Sequence, residues 1–270
     1  MEVDCEGCAG CCIDWRALAR GELDHERRGR YRPLDGVYNL AVLTREEVRA
    51  FLDTAGDALT PRLFRAEEGV TVGGETLAAV AGRPAFLVGL RKPPKPVAPF
   101  GADPAWLPTC AFLDPATLQC RIHDDERYPA DCADYPGANL ALDAETECER
   151  VEREFGGERL LDDTPPEAVD AALGPQAVGW KVFAYPEFDD PSRAQRAPFL
   201  AAAAASAPGT ATVARDRYRE ALAAARAADS WVGRAAADWE RRAGGDADPR
   251  TARAVEDERG APPTPGWEQV

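Results

Sequence analysis

Eight cysteines, at positions 5, 8, 11, 12, 110, 120, 132 and 148 of a 270-residue chain, are the residues most able to do chemistry here. Four of them crowd the opening segment "CEGCAGCC", where Cys5, Cys8 and Cys11 recur every three residues. A tight loop with that spacing turns its sulfurs to one side, as ferredoxin loops do when they present three thiolates to a [4Fe–4S] cubane. The ferredoxin run continues to a fourth cysteine followed by proline, and this one does not. Gly7 and Gly10 allow the curl, and their missing side chains leave room for a metal beside the amides. Adjacent residues generally send their side chains in different directions, so Cys11 and Cys12 are poorly placed to bind a single ion together. The doublet therefore suggests one polynuclear centre or two neighbouring ones. Cys110, Cys120, Cys132 and Cys148 supply the remaining thiolates, enough for two four-cysteine sites or one cluster plus one zinc.

Disulfides are a poor alternative. A chain of 270 residues can bury a core without staples, and no basic-then-apolar leader precedes Cys5, so the sequence predicts a cytoplasmic protein with reduced thiols. The longest apolar run, "FLAAAAASA", is too short and too weakly hydrophobic to span a bilayer, which predicts no membrane segment. Formal net charge is -15, with 29 arginines and three lysines, Lys92, Lys95 and Lys181. A surface so acidic is unsuited to phosphate backbones, so no nucleic-acid partner is expected. Excess carboxylate with scarce lysine is the composition of halophilic proteins, whose self-repulsion is screened within a few ångströms in molar salt.

The elements that must position the cysteines are legible in part. In "LTREEVRAFLDTAG", Thr44 and Glu47 form a capping box, and Val48, Phe51 and Leu52 share a helical face. Val70, Val72, Leu77, Val80, Phe86 and Val88 fall in short runs broken by Gly73-Gly74 and Gly82, which predicts three antiparallel strands. "RKPPKPVAPFGADP" reads as a proline-rich extended loop. Cys110 and Cys120 flank "FLDPATLQ", a strand–turn–strand whose ends meet, and Cys148 falls on or beside the next helix. The expected class is α+β: a cysteine-cluster domain over residues 1–163 with a small antiparallel sheet and helices, then a helical extension over 164–243, and a disordered tail over 244–270. Within the extension, helices are expected from Thr164, over 191–205, and over 212–242 as one long helix or two shorter ones, with Tyr218, Leu222, Val232, Ala235 and Trp239 as a core stripe.

The pattern C-x-x-C-x-x-C-C, followed about a hundred residues later by C-x-F-L-D, C-x-I-H and P-x-x-C-x-x-Y-P, resembles the YkgJ-type cysteine-cluster family of zinc- or iron-chelating proteins. The resemblance covers about residues 1 to 150. It implies a metal or iron–sulfur centre whose ligands are Cys5, Cys8, Cys11, Cys12, Cys110, Cys120, Cys132 and Cys148. The cofactor is then an iron–sulfur cluster, such as [4Fe–4S], or Zn²⁺. Where the family has Arg-Pro-x-x-Cys-Arg, this chain has Tyr128, Pro129, Cys132 and Ala133, so an arginine contact would have to come from Arg121 or Arg127. Some members are lysine N-methylases acting on flagellin, which makes a metal-dependent enzyme modifying a protein or small molecule the alternative function. The protein partner or small-molecule substrate of such an enzyme is not readable from this chain. No glycine-rich phosphate loop, G-x-G-x-x-G or H-E-x-x-H accompanies the cysteines, and no catalytic residue is named. His123 is expected to hydrogen-bond a sulfur or cap a turn, His25 to lie on a charged loop, and Tyr128, Tyr135 and Pro136 to pack around the cysteine loop.

Overall fold

Thr44 opens the first long helix as its sequence requires. In the computed structural model, which describes residues 1–5, 7–21, 31–166, 180–185, 196–206, 212–228 and 231–262, the Glu47 amide donates to Thr44 Oγ1 at 3.3 Å, and Thr44 N donates to Glu47 Oε2 at 2.7 Å. Helix α1 (Arg45–Ala55) then buries Val48, Phe51 and Leu52 on one face. Each such side chain contributes about 1.5–3 kcal/mol through burial.

The strands are antiparallel throughout their pairings. Short strands β1 (Glu2–Val3) and β2 (Arg32–Pro33) precede the long β3 (Leu59–Val72), which bends back through Gly73 and Gly74, both at positive φ, into β4 (Glu75–Leu77). After β5 (Ala79–Val80), the turn at Gly82 leads into β6 (Arg83–Leu90), which pairs with β3 from Leu59↔Leu90 to Leu63↔Phe86. All the apolar positions expected in strands lie in β3–β6, and β3 extends further towards the N-terminus than the alternation alone suggested.

The proline-rich stretch is not a loop. Its residues Pro94–Val97 form β7, which pairs with β8 (Ala105–Pro108) in the register Lys95↔Leu107 and Pro96↔Trp106. Prolines at alternate positions put their missing N–H groups on one edge of a strand and leave the other edge free to pair.

Short helices α2 (Ala130–Ala133) and α3 (Gly137–Ala141) lead to α4 (Glu147–Phe155), which starts on a second capping box, Thr146 with Glu149. Strand β9 (Leu160–Asp162) pairs with β1, and β10 (Phe183–Ala184) adds to the edge of β6. Helices α5 (Arg196–Ala205) and α6 (Arg215–Ala227) pack together, and the run Ala201–Ala205 is buried because residues this small let α1, α6 and β3 approach closely. The stretch expected as one helix or two is two, α6 and α7 (Trp231–Ala243). The helix expected from Thr164, the 191–195 start and His25 lie outside the described residues.

The expected disorder from 244 onward does not hold for the described part. Asp248 caps and Pro249 begins α8 (Pro249–Glu258), which buries Ala252, Val255 and Glu256. One hydrophobic core runs from Cys8 to Val255, so the compositional boundary near residue 163 is crossed by shared packing. The chain is thus α+β, with helices against small antiparallel sheets.

Candidate metal centre

The cysteines meet because three stretches of chain run side by side. Segment 108–111 lies between segments 12–14 and 91–93. On one edge, Thr109 N donates to Pro93 O at 2.9 Å and Ala111 N to Arg91 O at 2.9 Å. On the other, Cys110 N donates to Cys12 O at 2.8 Å and Asp14 N to Pro108 O at 2.8 Å. Alternation along an extended strand sends successive amides to opposite sides, so this one segment ties the N-terminal cysteines to the later ones. Cys120 comes back on a turn: Arg121 N reaches Phe112 O at 2.7 Å, and the Asp114 side chain accepts from Ala116 N and Thr117 N at 2.9 and 3.0 Å. The ends of the expected strand–turn–strand do meet, but no strand forms on either side: the segment is a turn closed by a single bridge between Leu113 and Cys120.

Cys132 sits on α2, which is held from outside. The Ala130 amide donates to Glu47 Oε1 at 2.8 Å, Val42 N to Asp131 Oδ2 at 2.9 Å, and Lys181 Nζ to Asp131 Oδ1 at 2.9 Å. Cys148 is the second residue of α4, and the same helix packs on the N-terminal loop. That packing explains Gly10. A Cβ there would meet Val151 Cγ2 at 2.8 Å, so the missing side chain makes room for α4 rather than for a metal, while Gly7 supplies a turn at φ 65°.

Buried Glu147 locks this corner. Its carboxylate accepts from Trp15 Nε1 at 2.5 Å, from Tyr38 OH at 2.7 and 2.9 Å, and from Arg150 Nη1 at 3.1 Å, and its amide donates to Tyr135 OH. Trp15 in turn packs edge-on to Phe155 at 5.6 Å, and Phe100 stacks on Phe155 at 4.6 Å. Three residues after Cys12, the chain is thereby pinned to the helix that carries Cys148.

All eight cysteines are free thiols. Cys8 and Cys110 are buried, Cys12, Cys120, Cys132 and Cys148 half-buried, and Cys5 and Cys11 exposed. Each feels others of the set. Cys148 faces Cys11, Cys8 and Cys5, whereas Cys12 faces Cys11, Cys110 and Cys120, and Cys132 faces Cys110, Cys11 and Cys120. The doublet stands between the two groups: the Cys12 thiol donates to Cys11, which lowers Cys11 and holds Cys12 protonated. Among the described residues, no three Cys, His, Asp or Glu side chains converge closely enough to hold a metal as they stand. The cysteines share a neighbourhood; ligation would require side-chain rotation within it.

The surroundings favour sulfur as an acceptor. The amides of Gly10, Phe112 and Ile122, each two residues beyond its cysteine, oppose the rise that burial imposes on Cys8, Cys110 and Cys120. Backbone amides near a sulfur support thiolate charge and tune metal–thiolate centres. Soft donors, burial and such amides fit zinc or an iron–sulfur cluster.

Two cations assist, and neither is an expected arginine. Arg121 is engaged with Asp114, Glu256 and Asp257, and Arg127 with Asp125 at 2.6 Å. Lys92 donates to Cys11 O at 3.0 Å and stands beside Cys12, Cys110 and Cys11, with burial lowering its ammonium pKa against their pull. Arg159 reaches Cys8 and opposes the rise that burial imposes on that thiol. Lysine scarcity was the missed signal: each of the three lysines lies by the cysteines or against an element that carries them. His123 is exposed, contacts Asp124 at 3.1 Å and lies 5.0 Å from the Tyr128 ring, so it is not turned to a sulfur.

Burial, followed by neighbouring thiols, raises Cys120 and Cys148 to about 12, from an ordinary 9.0. A folded state that keeps these thiols protonated longer is stabilised fully below pH 9.0 and loses that contribution as pH rises through about 12. Metal-free protein is therefore expected to lose stability steeply over that window. Circular dichroism of chelator-treated protein along an alkaline series checks it, and a flat profile to pH 12 would contradict the burial of these groups.

Fold and site together define an α+β chain built around a reduced eight-cysteine neighbourhood. The chain belongs to the family of unknown function DUF7531, whose sequence profile matches residues 1–268. No curated protein and no solved structure matches it. Among the described residues, no helix is long and apolar enough to cross a membrane.

Proposed function

We propose that this is a metal-binding cysteine-cluster protein whose eight thiolates hold an iron–sulfur cluster or zinc, as one polynuclear centre or two neighbouring ones. What supports this reading is the assembly of eight free thiols from well-separated stretches of chain, joined at the Cys110 N to Cys12 O hydrogen bond of 2.8 Å. The resemblance to YkgJ-type proteins, which covers the same eight positions, points the same way. Cys5, Cys8, Cys11 and Cys148 are the natural set on one side, and Cys12, Cys110, Cys120 and Cys132 on the other. An iron–sulfur centre supplies electron transfer, and zinc supplies structure alone. The reduced thiols this requires suit a cytoplasmic setting, and the net charge of -15 speaks against nucleic acid as a partner.

Metal analysis of anaerobically prepared protein, with visible and paramagnetic resonance spectra, tests the reading. Brown protein with broad visible absorbance identifies a cluster, and colourless protein with stoichiometric zinc identifies zinc. Protein that takes up neither after anaerobic reconstitution with iron and sulfide, or with zinc, sinks the reading.

A further inference from the structure

Far from the sulfurs in sequence, helix α8 carries Glu256 with no solvent exposure, and the partner of that carboxylate is Lys95 of β7, equally buried, at 2.5 Å. A buried pair of this kind is weak evidence of stability, because removing both charges from water offsets much of the attraction. What distinguishes this one is where the rest of the ammonium points. Lys95 Nζ donates to Ala111 O at 2.9 Å and Leu113 O at 2.7 Å, the first and third carbonyls after Cys110, in a segment whose Cys110 amide is itself tied to Cys12 O at 2.8 Å. The face of Trp239, in α7, lies 5.9 Å from the ammonium, and the Trp239 indole donates to Ala252 O of α8 at 2.9 Å.

A second cation completes the arrangement. Arg121, next to Cys120 and 3% exposed, lies 3.1 Å from Asp114 in the same turn, 3.4 Å from Glu256 and 2.8 Å from Asp257. Lys95, Arg121, Asp114 and Glu256 are all buried, and their formal charges cancel. Both ends of the Cys110–Cys120 turn are thus fastened to one helix by charge.

We infer that α8 is a positioning element for the second group of cysteines, with Lys95 and Glu256 as the positioning residues that hold the Cys110–Cys120 turn ready for metal. This rests on the metal-binding reading above. Partners of this kind, which orient ligands without touching the metal, change metal affinity by about 10–100-fold when removed.

Cobalt(II) alone, titrated into the anaerobic full-length protein, is the probe, since its thiolate absorption reports the number of sulfurs bound. Lys95→Met is expected to weaken cobalt uptake by about 10–100-fold for the part of the titration that Cys110→Ser also removes, and to leave the part removed by Cys5→Ser. Lys95→Met/Glu256→Leu takes away both charges and so spares the fold the cost of one unpaired ion, while still releasing the two carbonyls; it is expected to show the same weakening. Wild-type affinity in the folded double variant would overturn the inference. A measurement on the unaltered chain stands beside these variants. If α8 positions the site, metal must reciprocally stabilise α8, so cobalt is expected to slow amide exchange across Ala252–Glu256. Cobalt bound with unchanged exchange there would overturn the inference and leave the metal reading standing. No cobalt bound by the unaltered protein would overturn the inference of a turn held ready for metal, and the metal reading itself would then stand or fall on reconstitution with iron and sulfide or with zinc.

Discussion

Replacing Glu147 with alanine is expected to destabilise the protein by about 3–5 kcal/mol, the range for removing one partner of a buried charged pair. The residue is 1% exposed, and its carboxylate is the shared acceptor for Trp15 Nε1, Tyr38 OH and Arg150 Nη1. Arg150 retains a second partner, Glu145, at 2.9 Å, so its charge is not left wholly unpaired. The buried indole loses its acceptor beside Phe155, which costs about 1–3 kcal/mol, and the half-buried phenol loses the same acceptor. Glu147→Gln keeps the volume and one carbonyl acceptor, so a smaller loss of about 1–2 kcal/mol is expected. Urea unfolding with unchanged slope, followed by tryptophan fluorescence, measures both. A loss below about 1 kcal/mol for the alanine variant would mean that water satisfies these donors, and that Glu147 does not lock Trp15 to the Cys148 helix.

How much of this was legible in the sequence depended on the range of the interactions. The α1 capping box needs only Thr44 and Glu47, three residues apart, and the hairpins need only Gly73-Gly74 and Gly82, so local chemistry specified both. The eight candidate positions were equally plain, because cysteine is rare enough for spacing to carry meaning. What encloses the sulfurs was hidden. Helix α8 presents few apolar residues, and its buried face is completed by Glu256, which reads as solvated until Lys95 is seen beside it. Gly10 illustrates the same limit: its role depends on Val151, a contact across most of the cysteine domain. The prolines of β7 suppressed a strand that needs only one free edge. Glu147, fully buried in a segment that is otherwise charged, had no local signal at all.

Chelation of the metal-loaded protein is expected to have the largest effect on stability. Eight thiols drawn into one neighbourhood repel one another once ionised, a cost that protonation avoids in the metal-free protein and that a bound cation would offset. At the proposed centre, metal binding would be folding free energy, of order 10 kcal/mol for a structural thiolate site. Part of that is spent on deprotonating thiols that burial holds high, Cys120 and Cys148 near 12 among them, so a net loss of several kcal/mol on chelation is the expectation. Thermal unfolding with and without chelator measures it, and identical midpoints would contradict a metal that supports the fold. Cys12→Ser then separates the two possible arrangements. Cys12 is joined through its carbonyl to the Cys110 amide and feels Cys110 and Cys120, while Cys11 beside it feels both groups, Cys5, Cys8 and Cys148 on one side and Cys110, Cys120 and Cys132 on the other. If the doublet divides two centres, Cys12→Ser loses the metal of one and keeps the other, halving the metal content. If the doublet bridges a single polynuclear centre, the same substitution empties the site, because every metal in it shares that sulfur's neighbourhood.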